Sequence, residues 1–199
     1  MTFDEYKYLV LSDLYRINKK HNLSALLQQV VFGEAFKYIF WMRTCCFVRE
    51  RKLLKYTLYP VALILLNHYR YKFGIAVPFS ADIGPGFYIG HFGCMIVYPL
   101  CKIGKNCNLS QGVTLGKANR GKRKGYPKIG DNVYIGPGAK IIGNICVGND
   151  VAIGANCVVT SDIPDHAVVV GVPGKVISFE GSEGYVCNTD YDEKIRSKG

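Results

Sequence analysis

The run "GFYIGHFGCMIV", residues 86–97, holds one histidine in an otherwise apolar stretch. An imidazole titrates near neutrality, so His91 is a natural base for taking a proton from an alcohol. Gly90 and Gly93 beside it leave room for a ligand to come close. A lone histidine in apolar chain is also a common packing residue, so its type alone settles nothing. The other three have less company. His21 and His68 lie in a segment of helix-like spacing, and His166 sits in the closing stretch "IPDHAVVVGVPGKVI". No nucleophile-elbow serine, GxGxxG or phosphate-loop pattern is present.

A second stretch has the composition of a ligand contact. "KANRGKRKGYPK", residues 117–128, carries six Lys/Arg and no acid. Such a loop suits a phosphate-rich ligand, nucleic acid or a membrane surface, or is simply solvated. Nucleic acid is not expected, because Tyr126 is its single aromatic. The chain of 199 residues has a formal net charge of +10, is 49% hydrophobic and 20% charged, and is therefore globular. Its eight cysteines show no CxxC or metal-type spacing. Cys101, Cys107 and Cys157 read as small buried apolar residues of a reduced, cytoplasmic protein, and no metal is expected. The start "MTFDEYKYLV" lacks the bases of a secretory signal.

The elements that position these residues follow from a beat of six. Val77, Ile83 and Ile89 keep it, as do Val97, Ile103, Leu109 and Leu115, and then Ile129, Ile135, Ile141, Val147, Ile153 and Val159. Glycine often follows the aliphatic, as at Gly84, Gly104, Gly130 and Gly148, and is expected to permit turn geometry there. This is a coil of short parallel strands, three hexapeptides per turn, with residues 18 apart stacked. Two insertions interrupt it. One adds two residues around His91. The other adds eight between Leu115 and Ile129. Solenoid insertions leave as loops, often on the binding side, and these two are expected to lie close together.

The chain divides into residues 1–74, 75–177 and 178–199. The first part has helical spacing and carries 12 Lys/Arg against five Asp/Glu. It is expected to cap the first coil or to rest on the inner membrane face, with Trp41, Arg43, Arg49, Arg51 and Lys52 toward lipid head groups. Its most apolar stretch, "LLKYTLYPVALILL", is too short to span a bilayer. The last part is polar, without periodicity, and is expected to be a loosely held extension.

"IGHFG", "NLSQGVTLG", "PKIGDNVYIGPGAKIIGNICVGNDVAIGANCVV" and "VVVGVPGKVI" together resemble the hexapeptide-repeat acyltransferases, in their serine acetyltransferase-like branch. The resemblance covers residues 75–177. It implies a mainly β fold, a left-handed parallel β-helix with an N-terminal helical region. It further implies a homotrimer, alone or paired with a second trimer, active sites between neighbouring subunits, and acetyl-CoA as donor. His91 matches the catalytic histidine. Gly136, Pro137 and Ala155 match positions along the pantetheine arm of CoA, Gly116 and Lys117 the start of the loop beside it, and Lys175 the nucleotide end. Arg120, Lys122, Arg123 and Lys124 are assigned to the CoA phosphates because their loop is basic and acid-free.

The departures bear on the acceptor. An aspartate usually precedes the histidine; here it is Gly90. A second aspartate, one coil earlier, is replaced by Ala76. "RHPKI" reads "GYPKI", so an arginine and a histidine become Gly125 and Tyr126. An amino-acid zwitterion without charged partners is costly to bury. The end "RSKG" also lacks a terminal isoleucine. The expectation is therefore an O-acetyltransferase for a sugar hydroxyl of a bacterial surface polysaccharide, with Tyr88, Gly90, Tyr98, Asn108, Gln111 and Tyr126 at the acceptor. Serine O-acetyltransfer and a non-enzymatic β-helix scaffold with a basic loop remain alternatives.

Overall fold

The computed structural model describes residues 1–196. All of "RSKG" beyond Arg196 lies outside them. Four helices come first: α1 (Phe3–Asn18), α2 (Leu23–Phe32), α3 (Glu34–Arg49) and α4 (Leu54–Phe73). A capping box opens α1, with Glu5 N–H donating to Thr2 Oγ1 at 3.1 Å and Thr2 N–H to Glu5 Oε2 at 2.6 Å. Gly74, left-handed at φ 62°, closes α4 by donating to the Arg70 carbonyl. The first strand starts at the next residue.

From Ile75 the chain winds as a parallel β-helix of three faces. Face one stacks Ile75–Ala76, Met95–Val97, Thr114–Gly116, Lys140–Ile142 and Val158–Val159. Face two stacks Asp82–Ile83, Lys102–Ile103, Lys128–Ile129 and Cys146–Val147. Face three runs from Tyr88–Ile89 to Val168–Val170 and ends with the antiparallel Lys175–Ser178. The expected register holds: Val97 pairs with Leu115, and Ile135 with Ile153. Ile89 pairs with Leu109, two residues further along because of the insertion around His91. The repeat aliphatics from Val77 to Val159 form one core with Cys101, Cys107 and Cys157, all 0% exposed. Burial pushes the Cys101 and Cys107 thiols up to about 11 and about 12, so neither supplies a thiolate.

The column glycines have a different reason from the one expected. None of Gly84, Gly104, Gly130 and Gly148 has a positive φ. A Cβ at Gly104 would sit 2.5 Å from the Gly130 carbonyl oxygen, and one at Gly130 would sit 2.6 Å from that of Gly148. Glycine is needed there because consecutive coils touch backbone to backbone. The left-handed corners belong to Asn106, Asn132 and Asp150 instead. Asn106 donates to Asn132 at 2.8 Å and Asn132 to Asp150 at 2.9 Å, a ladder running up one corner.

Two expectations for the ends are corrected. Arg43 does not face lipid. It is 6% exposed, donates to both carboxylate oxygens of Asp13, and bonds the carbonyls of Ile83 and Gly84. Arg49 and Arg51 cover the rings of Phe79 and Phe47. Arg43 and Arg49 fasten α3 to the first coil, while Arg51 stays among the helices and the N-terminus. Among the described residues no helix is long and apolar enough to cross a membrane.

The segment after Ser178 is not loose. It runs back down face three as a strap. Ser182 bonds Asp150 and Asn132, Tyr185 stacks on Tyr134 with centroids 4.5 Å apart, and Tyr191, 1% exposed, donates to Asn106. It ends as α5 (Tyr191–Arg196) against α1, where Tyr8 bonds Asp192. Polar side chains matched to exposed corner carbonyls hold it down, and such matching leaves no periodic signature.

Candidate active site

His91 lies in the loop joining face three to face one, at an edge of the prism. It is exposed, and among the described residues no hydrogen bond holds its ring. The loop is held from beneath, where the Phe92 ring meets Phe73 of α4 at 4.9 Å. Gly93 takes φ 125°, and a Cβ there would meet nothing within 4 Å, so the loop is open to a ligand.

The same edge continues upward coil by coil. Gly112 N–H donates to the Gly93 carbonyl, Gly138 N–H to that of Gln111, and Asn156 N–H to that of Pro137. His91, Gln111, Gly136, Pro137 and Ala155 therefore lie along one line, here called the histidine edge. Lys175, exposed, pairs with Val170 near its top. Gln111 carries a buried side-chain oxygen, Oε1, without a hydrogen-bond partner among the described residues. Such an edge has the length and open backbone to hold an extended thioester arm.

Other residues form a second group, at the edge between faces one and two. Tyr98 and Tyr126 have ring centroids 6.1 Å apart, and Lys117 Nζ lies 5.6 Å from the Tyr126 ring. Gly116 ends a face-one strand tightly, since a Cβ there would come within 2.6 Å of Ile142 Cδ1. The basic loop leaves from here as a small hairpin, with Ala118 bridged to Gly125. Arg123 donates to Asp162 at 2.6 Å, and Asn144 N–H donates to the Arg123 carbonyl. The Arg123 hydrogen bond and the Cys146 N–H hold the Asp162 carboxyl below the usual carboxylate range. Arg120, Lys122 and Lys124 stay exposed and outside any ion pair among the described residues.

The two insertions thus sit at opposite edges of face one, not side by side. The strand between them separates them. Asn108 is also corrected. Arg16 covers the Tyr88 ring at 5.9 Å and donates to Asn108 Oδ1 at 2.6 Å, while Asn108 donates to the strap at the Tyr185 carbonyl. Asn108, 6% exposed, is thus occupied by α1 and the strap, whereas the half-exposed Tyr88 ring lies against Gly90 beside His91, 3.5 Å from where a Cβ there would sit.

One feature escapes a reading of motifs. A cavity of about 450 Å³ opens between α4 and the first two coils. Arg70, Asn67 and Tyr38 line it from the helices, Ala76 and Ile96 from face one, and Tyr98 from the edge beyond it. Arg70 is one of two cations in "HYRYKF", and the opposite wall is contributed by strands formed later in the chain.

Comparison with known proteins bears on this geometry. The family model "Bacterial transferase hexapeptide (six repeats)" matches residues 126–161. A serine acetyltransferase of Staphylococcus epidermidis is 41% identical over 130 residues, covering 65% of this chain and 61% of that protein. The chain thus matches less than two thirds of that relative's length. The crystal structure of Neisseria gonorrhoeae serine acetyltransferase is 30% identical with a TM-score of 0.70, covering 88% of this chain and 66% of that one. A serine acetyltransferase solved in complex with CoA is 27% identical with a TM-score of 0.64, covering 87% and 68%. These relatives overturn the expectation of a polysaccharide acceptor.

Proposed function

Since the chain belongs to the hexapeptide-repeat acyltransferases, in their serine acetyltransferase-like branch, we propose that it transfers an acetyl group from acetyl-CoA to the hydroxyl of L-serine. The observation that carries this reading is the histidine edge, where His91 stands at the foot of a line through Gln111, Pro137 and Ala155. Acetyl-CoA lies along that line with its thioester at His91. His91 takes the hydroxyl proton as the serine oxygen attacks the thioester carbon. The carbon–sulfur bond breaks, and the proton passes from His91 to the departing CoA sulfur. Backbone N–H groups of the open loop stabilise the oxyanion. No covalent enzyme intermediate is needed.

The division of residues between two edges supports assembly into a homotrimer, and the reading places that trimer in the cytoplasm. A closed ring of copies brings the histidine edge of one against the loop edge of the next. Tyr98, Tyr126 and the basic hairpin then complete a neighbour's site, residues 75–177 carry the chemistry, and residues 1–74 and 178–199 hold the coil. Arg120, Lys122 and Lys124 meet the CoA phosphates, while Arg123 fixes the hairpin through Asp162.

The test is CoA release from acetyl-CoA with L-serine as sole acceptor. Turnover saturable in L-serine supports the reading; acetyl-CoA binding without serine turnover sinks it. A second expectation concerns the hairpin. Changing Arg120, Lys122 and Lys124 together to glutamine weakens CoA binding about tenfold at low ionic strength, and less as salt screens the charges. Calorimetric titration across salt concentrations checks this, and an unchanged affinity at low salt removes the hairpin from the site.

A further inference from the structure

The cavity beside α4 is walled mostly by apolar side chains and carries one cation, the exposed Arg70, that can meet an anion. Its lining contains Arg70 and no aspartate or glutamate. Arg70 forms no ion pair or ring contact among the described residues, unlike Arg16, Arg43, Arg49, Arg51 and Arg123. A guanidinium offers a planar fork of donors that matches a carboxylate. The rest of the wall is firm. Tyr38 donates to the Val77 carbonyl at 2.6 Å, and its oxygen lies 3.1 Å from the Val77 nitrogen, which donates back. Ala76 leaves open the space that a longer side chain would fill, and Asn67 adds a neutral polar group.

Its height in the coil is also informative. The cavity spans Ala76 to Phe79 and Ile96 to Pro99, the first two coils. His91 lies between the strands Tyr88–Ile89 and Met95–Val97, at the same level. Copies arranged about an axis parallel to the coil keep that level. The cavity adjoins the loop edge, the edge that meets a neighbour's histidine in the proposed trimer.

We propose that this cavity binds the carboxylate of the amino-acid acceptor, with Arg70 as its cation. This rests on the reading of L-serine as acceptor. It places the charge that the "GYPKI" segment lacks on a helix outside the repeats. The hydroxyl is then presented to His91 from a fixed end.

The test compares L-serine with L-serinamide, which keeps the hydroxyl and amine but not the carboxylate. The unaltered protein is expected to favour L-serine in kcat/KM by about 10- to 100-fold, the range for a charge-assisted hydrogen-bonded pair. Arg70→Gln raises KM for L-serine by a similar factor, leaves kcat and the serinamide KM nearly unchanged, and so erases the preference. Arg70→Lys restores part of it. Unchanged acetyl-CoA affinity and melting temperature in Arg70→Gln show that the fold is intact. Serine turnover whose preference over serinamide survives Arg70→Gln overturns the carboxylate site and leaves the proposed function standing. No turnover of either acceptor by the unaltered protein overturns both.

Discussion

Replacing His91 with alanine lowers kcat for serine-dependent CoA release by about 10²- to 10⁴-fold, the contribution of a positioned general base. Acetyl-CoA affinity and melting temperature stay close to those of the unaltered protein. The side chain is exposed and no hydrogen bond holds its ring among the described residues, so its removal opens no cavity. The loop remains in place because Phe92 on Phe73 and the Gly112 bond to the Gly93 carbonyl hold its backbone. Steady-state kinetics with a parallel thermal melt separates the two effects. A variant with unaltered kcat would remove His91 from the chemistry, whatever the acceptor.

Arg43→Ala is expected to destabilise the fold by about 3–5 kcal/mol, the usual cost of stranding one member of a buried ion pair. For a domain of this size that lowers the melting temperature by roughly 10 °C. Side chains of Arg43 and Asp13 are 7% and 0% exposed, so solvent does not relieve the loss. The usual remedy, replacing both partners with apolar residues, is expected to fail here. Arg43 also satisfies the carbonyls of Ile83 and Gly84, and Asp13 accepts from Phe87 N–H at 2.7 Å. A double change to Asp13→Leu with Arg43→Met orphans those backbone groups, each at about 1–3 kcal/mol. Thermal melts of the single and double variants decide this; recovery in the double would show that the pair acts only with itself.

These results mark what a single sequence carries. The coil was legible because each rung repeats one demand, an aliphatic pointing inward, as Val97, Leu115 and Ile141 illustrate. His91 stood out because it broke that demand. Glycine was visible by position, yet its reason was contact with the next coil, which is a property of stacking and not of the local turn. Asn108 was misassigned because what covers it comes from α1 and from the strap, both remote in sequence. The acceptor expectation rested on missing charges, and the serine acetyltransferase relatives overturned it. Gly90, Ala76 and Gly125 show charges missing from their expected places in the repeats. They say nothing of a cation brought to face one by the last turn of α4, where Gly74 sets Arg70 against the first coil.

The strap changes how the molecule comes apart. In a plain solenoid each turn touches only its neighbours, and the array frays from whichever end is weaker. Here Ser182 is fastened near Asp150, Tyr185 to Asn108, Cys187 to Arg16 and Tyr191 to Asn106, so one segment spans the stack from late turns to early ones. Peeling away the last turn also loosens the helices beneath the first. Both ends of the array are therefore expected to melt together, giving a linear stack of repeats the all-or-none unfolding of a compact domain.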